Sequence, residues 1–274
     1  CRLRFLFVFC WETIGREKEG ANFILNGGNP MQHNPVQDTN LQPAAPVKVK
    51  QRPIPYEGKL RAAALRVPAV IRQCSGIFVF GKRIKSLVFT TDMAIIRNVD
   101  ADAVFAVHPF TPQPTISNAI VAAADIPVFV GVGGGSTLGV RMIQMALSAE
   151  TQGAVGVVVN TKGKNENIHK MSQMLEIPIV VTVVSSGEDV KSRIDSGASI
   201  INVSAAAQTP EVVREIRAQF PQIPIIATGG PNDDAILETI HAGANAITWT
   251  PPSTTELFRQ IMTRHRETKA NWLD

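Results

Sequence analysis

The sequence predicts an α/β chain, a (β/α)8 TIM barrel with an N-terminal helical extension, and three observations lead there. Ile-Pro opens a short apolar run at Ile126-Pro127, Ile177-Pro178 and Ile223-Pro224, a spacing of roughly 50 residues that signals an internal repeat. Gly-Ala closes the helix-like segments between these runs at Gly153-Ala154, Gly197-Ala198 and Gly243-Ala244, and each pair opens a second apolar run. The runs are short and apolar throughout, as strands buried on both faces are, and the amphipathic segments between them suit crossovers between parallel strands. Proline at the first residue of a strand costs no ladder bond, and glycine supplies the left-handed turn that stops a helix. The repeat is therefore a double βα unit.

Taken in order, residues 1–30 lack any periodic pattern, and Met31 follows Gly27-Gly28 at the distance at which a purine-rich ribosome-binding sequence would precede a start codon. They read as a translated leader. Residues 32–47, rich in Asn, Gln, Pro and Ala, read as a flexible arm, so 1–52 stands apart from the fold. Residues 57–73 read as a helix, with Ala62, Ala63, Ala64 and Leu65 as strong formers and Pro68 as a break or kink. An apolar, turn, apolar element follows over residues 77–84: a plug over the amino-terminal mouth, a dimer contact, or a lid over the substrate. Segment 53–84 thus precedes a barrel over 85–268. Its strands are expected at residues 87–90, 103–107, 128–132, 155–160, 179–183, 200–203, 225–228 and 246–249, and its last helix at 254–266.

The charge balance is modest, 27 Lys and Arg against 23 Asp and Glu for a net +4, and part of it comes from scattered basic residues between Lys48 and Lys85. Without aromatic interleaving, such a scatter is a solvated face and not a nucleic-acid surface. No apolar run reaches the length of a membrane span. Three cysteines, two of them at Cys1 and Cys10, make no disulfide framework, which points to a reducing, cytoplasmic compartment. No metal-ligand cluster and no Gly-x-Ser-x-Gly elbow is present, and no cofactor is expected. A homo-oligomer is left open.

In this architecture the chemistry sits at the carboxyl ends of the strands. Asp92 after the first strand and His108 after the second are acid–base candidates, because a carboxylate beside a histidine orients it for proton transfer. Asp92 equally suits the N-cap of a helix from Met93, and His108 before Pro109 a structural role. Lys162 is a candidate nucleophile or clamp, although Thr161-Lys162-Gly163-Lys164-Asn165 has the composition of an exposed turn. Asn160, Ser204 and Thr250 are further polar residues at strand ends. Two glycine loops are more specific. Gly133-Gly134-Gly135-Ser136 after the third strand and Thr228-Gly229-Gly230 after the seventh each lead into a helix, where backbone N–H groups and the positive helix end favour an anion.

Ile225-Ile226-Ala227-Thr228-Gly229-Gly230 with Ala242-Gly243-Ala244 resembles the closing quarter of aldolase-type, phosphate-binding barrels such as ketodeoxygluconate-phosphate aldolases and thiamin-phosphate synthases. In those families the eighth strand ends in a glycine turn that completes a phosphate cup, whereas Thr250-Pro251-Pro252-Ser253 stands here. Residues 126–160, with Gly131-Val132-Gly133-Gly134-Gly135-Ser136-Thr137, resemble the dihydrodipicolinate synthase and N-acetylneuraminate lyase group. The tyrosine and Schiff-base lysine of that group are replaced by Asn160-Thr161-Lys162 and Asn202-Val203-Ser204. From Pro53 onward the chain also resembles bacterial single-barrel proteins labelled only as hydrolases. Together the resemblances imply a lyase or isomerase of the aldolase-type class acting on a small anionic, phosphorylated metabolite. The alternatives are a hydrolase in which His108 and Asp92 activate water, or a metabolite-binding barrel without catalysis.

Overall fold

The computed structural model describes Ile54 and residues 65–133 and 135–270 of the chain. The expected leader and arm, Gly134, and residues 57–64 of the expected N-terminal helix lie outside the described residues. A two-stranded antiparallel hairpin, β1 (Ile77–Val79) and β2 (Lys82–Ile84), precedes eight parallel strands. These are β3 (Ser86–Phe89), β4 (Ala103–Ala106), β5 (Val128–Gly133), β6 (Gly156–Val159), β7 (Ile179–Val183), β8 (Ile200–Val203), β9 (Ile225–Thr228) and β10 (Ala246–Trp249). They pair in sequence order, and β10 returns to β3 to close the barrel, so the fold is a (β/α)8 TIM barrel. Between them run α1 (Met93–Arg97), α2 (Pro114–Ala123), α3 (Val140–Thr151), α4 (Asn165–Ser172), α5 (Val190–Asp195), α6 (Thr209–Gln219) and α7 (Asp233–His241). The last helix, α8 (Thr254–Ala270), leaves Phe258, Ile261 and Met262 exposed.

Three strands end earlier than the apolar runs suggest, because the chain turns away to make loop bonds. Thr90 Oγ1 accepts from the Asp92 N–H at 3.1 Å, the Val107 N–H folds back on Phe105 O, and the Asn160 N–H crosses to Gly133 O at 2.9 Å. The expected helix over residues 57–73 is corrected in its described part. Leu65 forms a β-bridge with Val99, and only Ala69–Gln73, beginning after Pro68, is helical, as a 3-10 turn. A proline ring excludes the preceding residue from helical geometry, so strong helix formers on its amino side do not carry the helix through.

Alternation along each strand separates two cores. Val88, Val104, Val130, Val157, Val181 and Ile201 face outward to the helices. Leu87, Phe105, Phe129, Val158, Val180, Ile200, Ile226 and Ala246 face inward, and the hairpin residues Ile77, Val79 and Ile84 are buried with them. The hairpin therefore fills the amino-terminal end of the barrel, with apolar side chains where an open tube would admit water. Gly156 makes room for that interior, since a Cβ there would stand 2.5 Å from the Phe129 ring. Two side chains lock this face. Asn245 accepts from Arg217 at 2.6 Å and from the Ile225 N–H at 2.9 Å, and donates to Ser75 Oγ at 2.8 Å. Arg217 also caps the carbonyls of Gly243, Pro221 and Ile223. The opposite, carboxyl-terminal face is free for a site.

Candidate functional site

Following period two upward from the inner core, the inward positions at the carboxyl ends of β3 to β8 are Phe89, Phe105, Gly131, Val158, Thr182 and Asn202. All six line one cavity of about 300 Å³, within the size range of small-metabolite sites. His108, Phe110, Gly133, Gly135, Ser136, Asn160 and Ser204 complete it from the loops. The cavity is off-centre, bounded by β3 to β8. On the remaining side the strand ends bond to their neighbours: Thr248 Oγ1 donates to Ala227 O at 3.3 Å and Thr228 Oγ1 to Ser204 Oγ at 3.2 Å.

Glycine geometry shapes the β5 side. Gly133 has φ +148°, and a Cβ there would lie 2.5 Å from Thr137 O, so no larger residue fits this turn. The strand bulges against β6 between Gly131 and Gly133, which lifts the loop over the mouth. Ser136 and Thr111 share a hydroxyl bond of 3.3 Å that ties it to the β4 loop. Gly135 differs, since a Cβ there would meet no atom within 4 Å. The β6 loop carrying Asn160 is braced from below. Arg193 on α5 donates to the carbonyls of Gly163 and Thr161, and to Asn165 Oδ1 at 2.9 Å. Glu188 accepts from Thr161 Oγ1 at 2.8 Å and from the Val184 N–H at 2.8 Å, joining the β6 and β7 loops.

Two buried polar atoms in the cavity have no hydrogen-bond partner: His108 Nδ1 and Asn202 Oδ1. His108 stands against Phe110, ring centroids 6.1 Å apart, and is the one titratable side chain in the lining. Asn202 is 5 % exposed, and its Nδ2 donates to Thr182 Oγ1 at 3.2 Å. Neither Asn202 nor Thr182 stands out in the sequence beyond its place at a strand end; the signal was a polar residue at an inward position of the apolar run Ile200-Ile201-Asn202-Val203.

The other sequence candidates lie elsewhere. Asp92 caps α1: Oδ1 accepts from the Ala94 and Ile95 N–H groups at 2.8 and 3.3 Å, and Oδ2 from Thr254 Oγ1. The Thr254 hydroxyl first, opposed by burial and then aided by the Ile95 and Ala94 backbone bonds, holds its carboxyl below the usual carboxylate range. Among the described residues no hydrogen bond joins Asp92 to His108, so the expected pair is not formed. Lys162 is exposed in the turn after β6, outside the cavity lining. Thr250 is also exposed and outside it. Gly229 is buried, its N–H donates to Thr248 O at 3.2 Å, and a Cβ would press on Ile247 and Ile236. Gly230 has φ +83° and lies close to Ala235. Both glycines thus serve the packing of α7, whose first turn is closed by the Asn232 cap and carries Asp233 and Asp234.

No protein-family profile matches the chain. Over 112 residues it is 30% identical to a Staphylococcus haemolyticus protein assigned as an N-acetylmannosamine-6-phosphate 2-epimerase, covering 35% of this chain and 49% of that one. The chain thus spans about half the length of the curated relative it matches. Among solved structures it is similar to the phosphoenolpyruvate phosphomutase of Streptomyces platensis subsp. rosaceus, with TM-score 0.52, 10% identity, and coverage of 74% of this chain and 84% of the other. A phosphonopyruvate hydrolase in complex with oxalate and Mg²⁺ gives TM-score 0.50, 12% identity, 70% and 95%. The 4-hydroxy-tetrahydrodipicolinate synthase of Methylacidiphilum fumariolicum SolV gives 0.50, 14%, 62% and 68%. These likenesses show the fold, that of a TIM barrel. Among the described residues the Mg²⁺ of the hydrolase complex has no counterpart donor set. Among the described residues the cavity lining holds no carboxylate, whereas hard cations take oxygen ligands anchored by them. No helix among the described residues is long and apolar enough to cross a membrane.

Proposed function

We propose that this chain is an isomerase or lyase of the aldolase-type barrel class, acting on a small phosphorylated metabolite by proton transfer at a carbon beside a carbonyl. The observation that carries this reading is His108, the one titratable group in the cavity lining, with Nδ1 buried and unpartnered. Histidine is the most frequent general acid and base, and one with an uncommitted nitrogen is available to take a proton from carbon and return it. The epimerase assignment of the curated relative, whose substrate is a sugar phosphate, supports the same class. The phosphate belongs at the β5 loop, where Gly135 and Ser136 line the cavity and α3 begins with no acidic residue in its first turn. Water activation by a His108–Asp92 pair has no support, because both Asp92 oxygens are engaged in the α1 cap and with Thr254.

A metabolite-binding barrel without turnover is the second reading, favoured by the absence of any Lys, Arg, Asp or Glu from the lining among the described residues. The test is a panel of sugar phosphates and hydroxycarbonyl phosphates incubated in deuterated water and followed by NMR. Deuterium entering the carbon beside the carbonyl, lost in His108→Gln, is the expected result. Phosphate release without exchange would refute proton transfer, and thermal stabilisation without either would establish the binding barrel.

A further inference from the structure

We infer that Asn202, paired with Thr182 at the floor of the cavity, is the residue that selects the substrate, and that it reads an uncharged hydroxycarbonyl group. The inference rests on the reading above of a phosphorylated metabolite, and names the part of that metabolite away from its phosphate. Asn202 lies on an inward position of β8 and is 5 % exposed, yet only one of its amide atoms is bonded within the protein, to Thr182 Oγ1 at 3.2 Å. Its other amide atom is buried without a partner, in a residue that lines the cavity. Folded proteins pair nearly all such atoms, and the exceptions call for a specific reason.

The chemistry of the pair sets the ligand class. A threonine hydroxyl both donates and accepts, so the amide of Asn202 keeps its bond to Thr182 in either orientation and turns either its oxygen or its NH₂ to the cavity. His108 Nδ1, the second unpartnered atom, likewise donates or accepts according to tautomer. A hydroxyl beside a carbonyl offers the matching donor and acceptor. A carboxylate does not fit, because the described lining supplies no cation to balance a charge brought in among Phe89, Phe105 and Val158. The phosphate is then held apart, at the β5 loop, and the uncharged end is presented to His108 with its carbonyl polarised by Asn202.

Three probes separate these contributions: dihydroxyacetone, dihydroxyacetone phosphate and inorganic phosphate, with affinities measured by ligand-observed NMR on the full chain. Asn202→Leu, which keeps the branched shape and removes both amide atoms, should weaken dihydroxyacetone phosphate at least tenfold and leave inorganic phosphate unchanged. Thr182→Val should give a smaller loss with the same selectivity. Melting temperatures check that the variants fold; should Asn202→Leu fail to fold, Thr182→Val carries the test. Unchanged binding of dihydroxyacetone phosphate by the folded variants would overturn the inference, as would equal losses for all probes. Wild-type binding of inorganic phosphate with no gain from the hydroxycarbonyl part overturns the role of Asn202 and leaves the phosphorylated substrate standing. Wild-type binding of dihydroxyacetone with no gain from phosphate does the reverse, and failure of all three probes refutes both.

Discussion

The loops after β5 and β9 have nearly the same composition, a strand running into glycines and then a helix, but they are built for different ends. At the β9 loop every feature points inward to the fold: the Gly229 N–H is bonded to Thr248 O, Gly230 is pressed toward Ala235, and Asn232, Asp233 and Asp234 already satisfy the positive end of α7. Among the described glycines of the β5 loop, Gly133 is the one demanded by packing. Gly135 has open space around it, α3 has neither a side-chain cap nor an acid in its first turn, and the cavity lies alongside. A glycine-rich turn before a helix is therefore not in itself an anion site. What decides is whether its N–H groups and helix end have been used up by the protein.

The contrast is open to direct attack, beginning with the largest effect. Gly230→Ala should lower the unfolding free energy by about 1–3 kcal/mol through its positive φ and the Ala235 contact, with phosphate affinity unchanged. Thermal melts beside phosphate titrations read both, and weakened binding in an undamaged protein would move the anion site back to β9. Gly135→Ala should do the opposite. Its stability stays within about 0.5 kcal/mol of the parent, because no neighbour lies within 4 Å, while the methyl group entering the cavity weakens ligand binding roughly tenfold.

Asp92→Ala tests whether the first barrel loop is a cap or a catalytic element. Loss of the cap should cost about 1 kcal/mol at neutral pH. The carboxyl of Asp92 is depressed below its unfolded value, chiefly by Thr254 and then by the backbone N–H groups of Ile95 and Ala94. Its contribution is therefore fully present above the unfolded pKa of about 3.9 and disappears as the pH falls through the lower folded value. Urea denaturation at neutral and strongly acid pH should show the gap between parent and variant closing in acid, and a gap independent of pH would contradict the assignment. The smallest effect per group is expected from Asp233→Asn combined with Asp234→Asn, about 0.3–1 kcal/mol for each charge removed from the start of α7. Phosphate titration of this double variant should show new weak binding at β9, and none would mean that the Gly229 bond alone closes that loop.

Much of the barrel is legible in the sequence because its cause is local. Ile-Pro and Gly-Ala mark strand starts and helix ends through backbone rules that act within a few residues, and β7 to β10 fall where those rules put them. The site is less legible because its causes are remote. Asp92 satisfies equally the pattern of a catalytic acid and of an N-cap, and the partner that completes its engagement, Thr254, is 162 residues away. Asn202 reads as one polar residue in an apolar strand; its missing partner is visible only once Thr182 is beside it. The hairpin lies between these cases. Its strands follow from alternation and from Gly81, but its seat in the amino-terminal end of the barrel depends on remote strands, since Ile77, Val79 and Ile84 are buried in one cluster with Ala103, Ile200 and Ala246.

The lock at that end also orders events during synthesis. Ser75 bonds to Asn245 across 170 residues, and β3, the first barrel strand made, has no second neighbour until β10, the last, emerges. The neighbouring βα units can zip up as they leave the ribosome, since their contacts are local. Ring closure must wait. A nascent chain halted short of Ala246 has the β3 and β9 edges unpaired and its apolar hairpin without the β10 side of its seat, the condition in which strand edges recruit other chains. Emergence of β10, more than that of any earlier barrel strand, is the point at which the barrel passes from a row of adhesive segments to a closed ring.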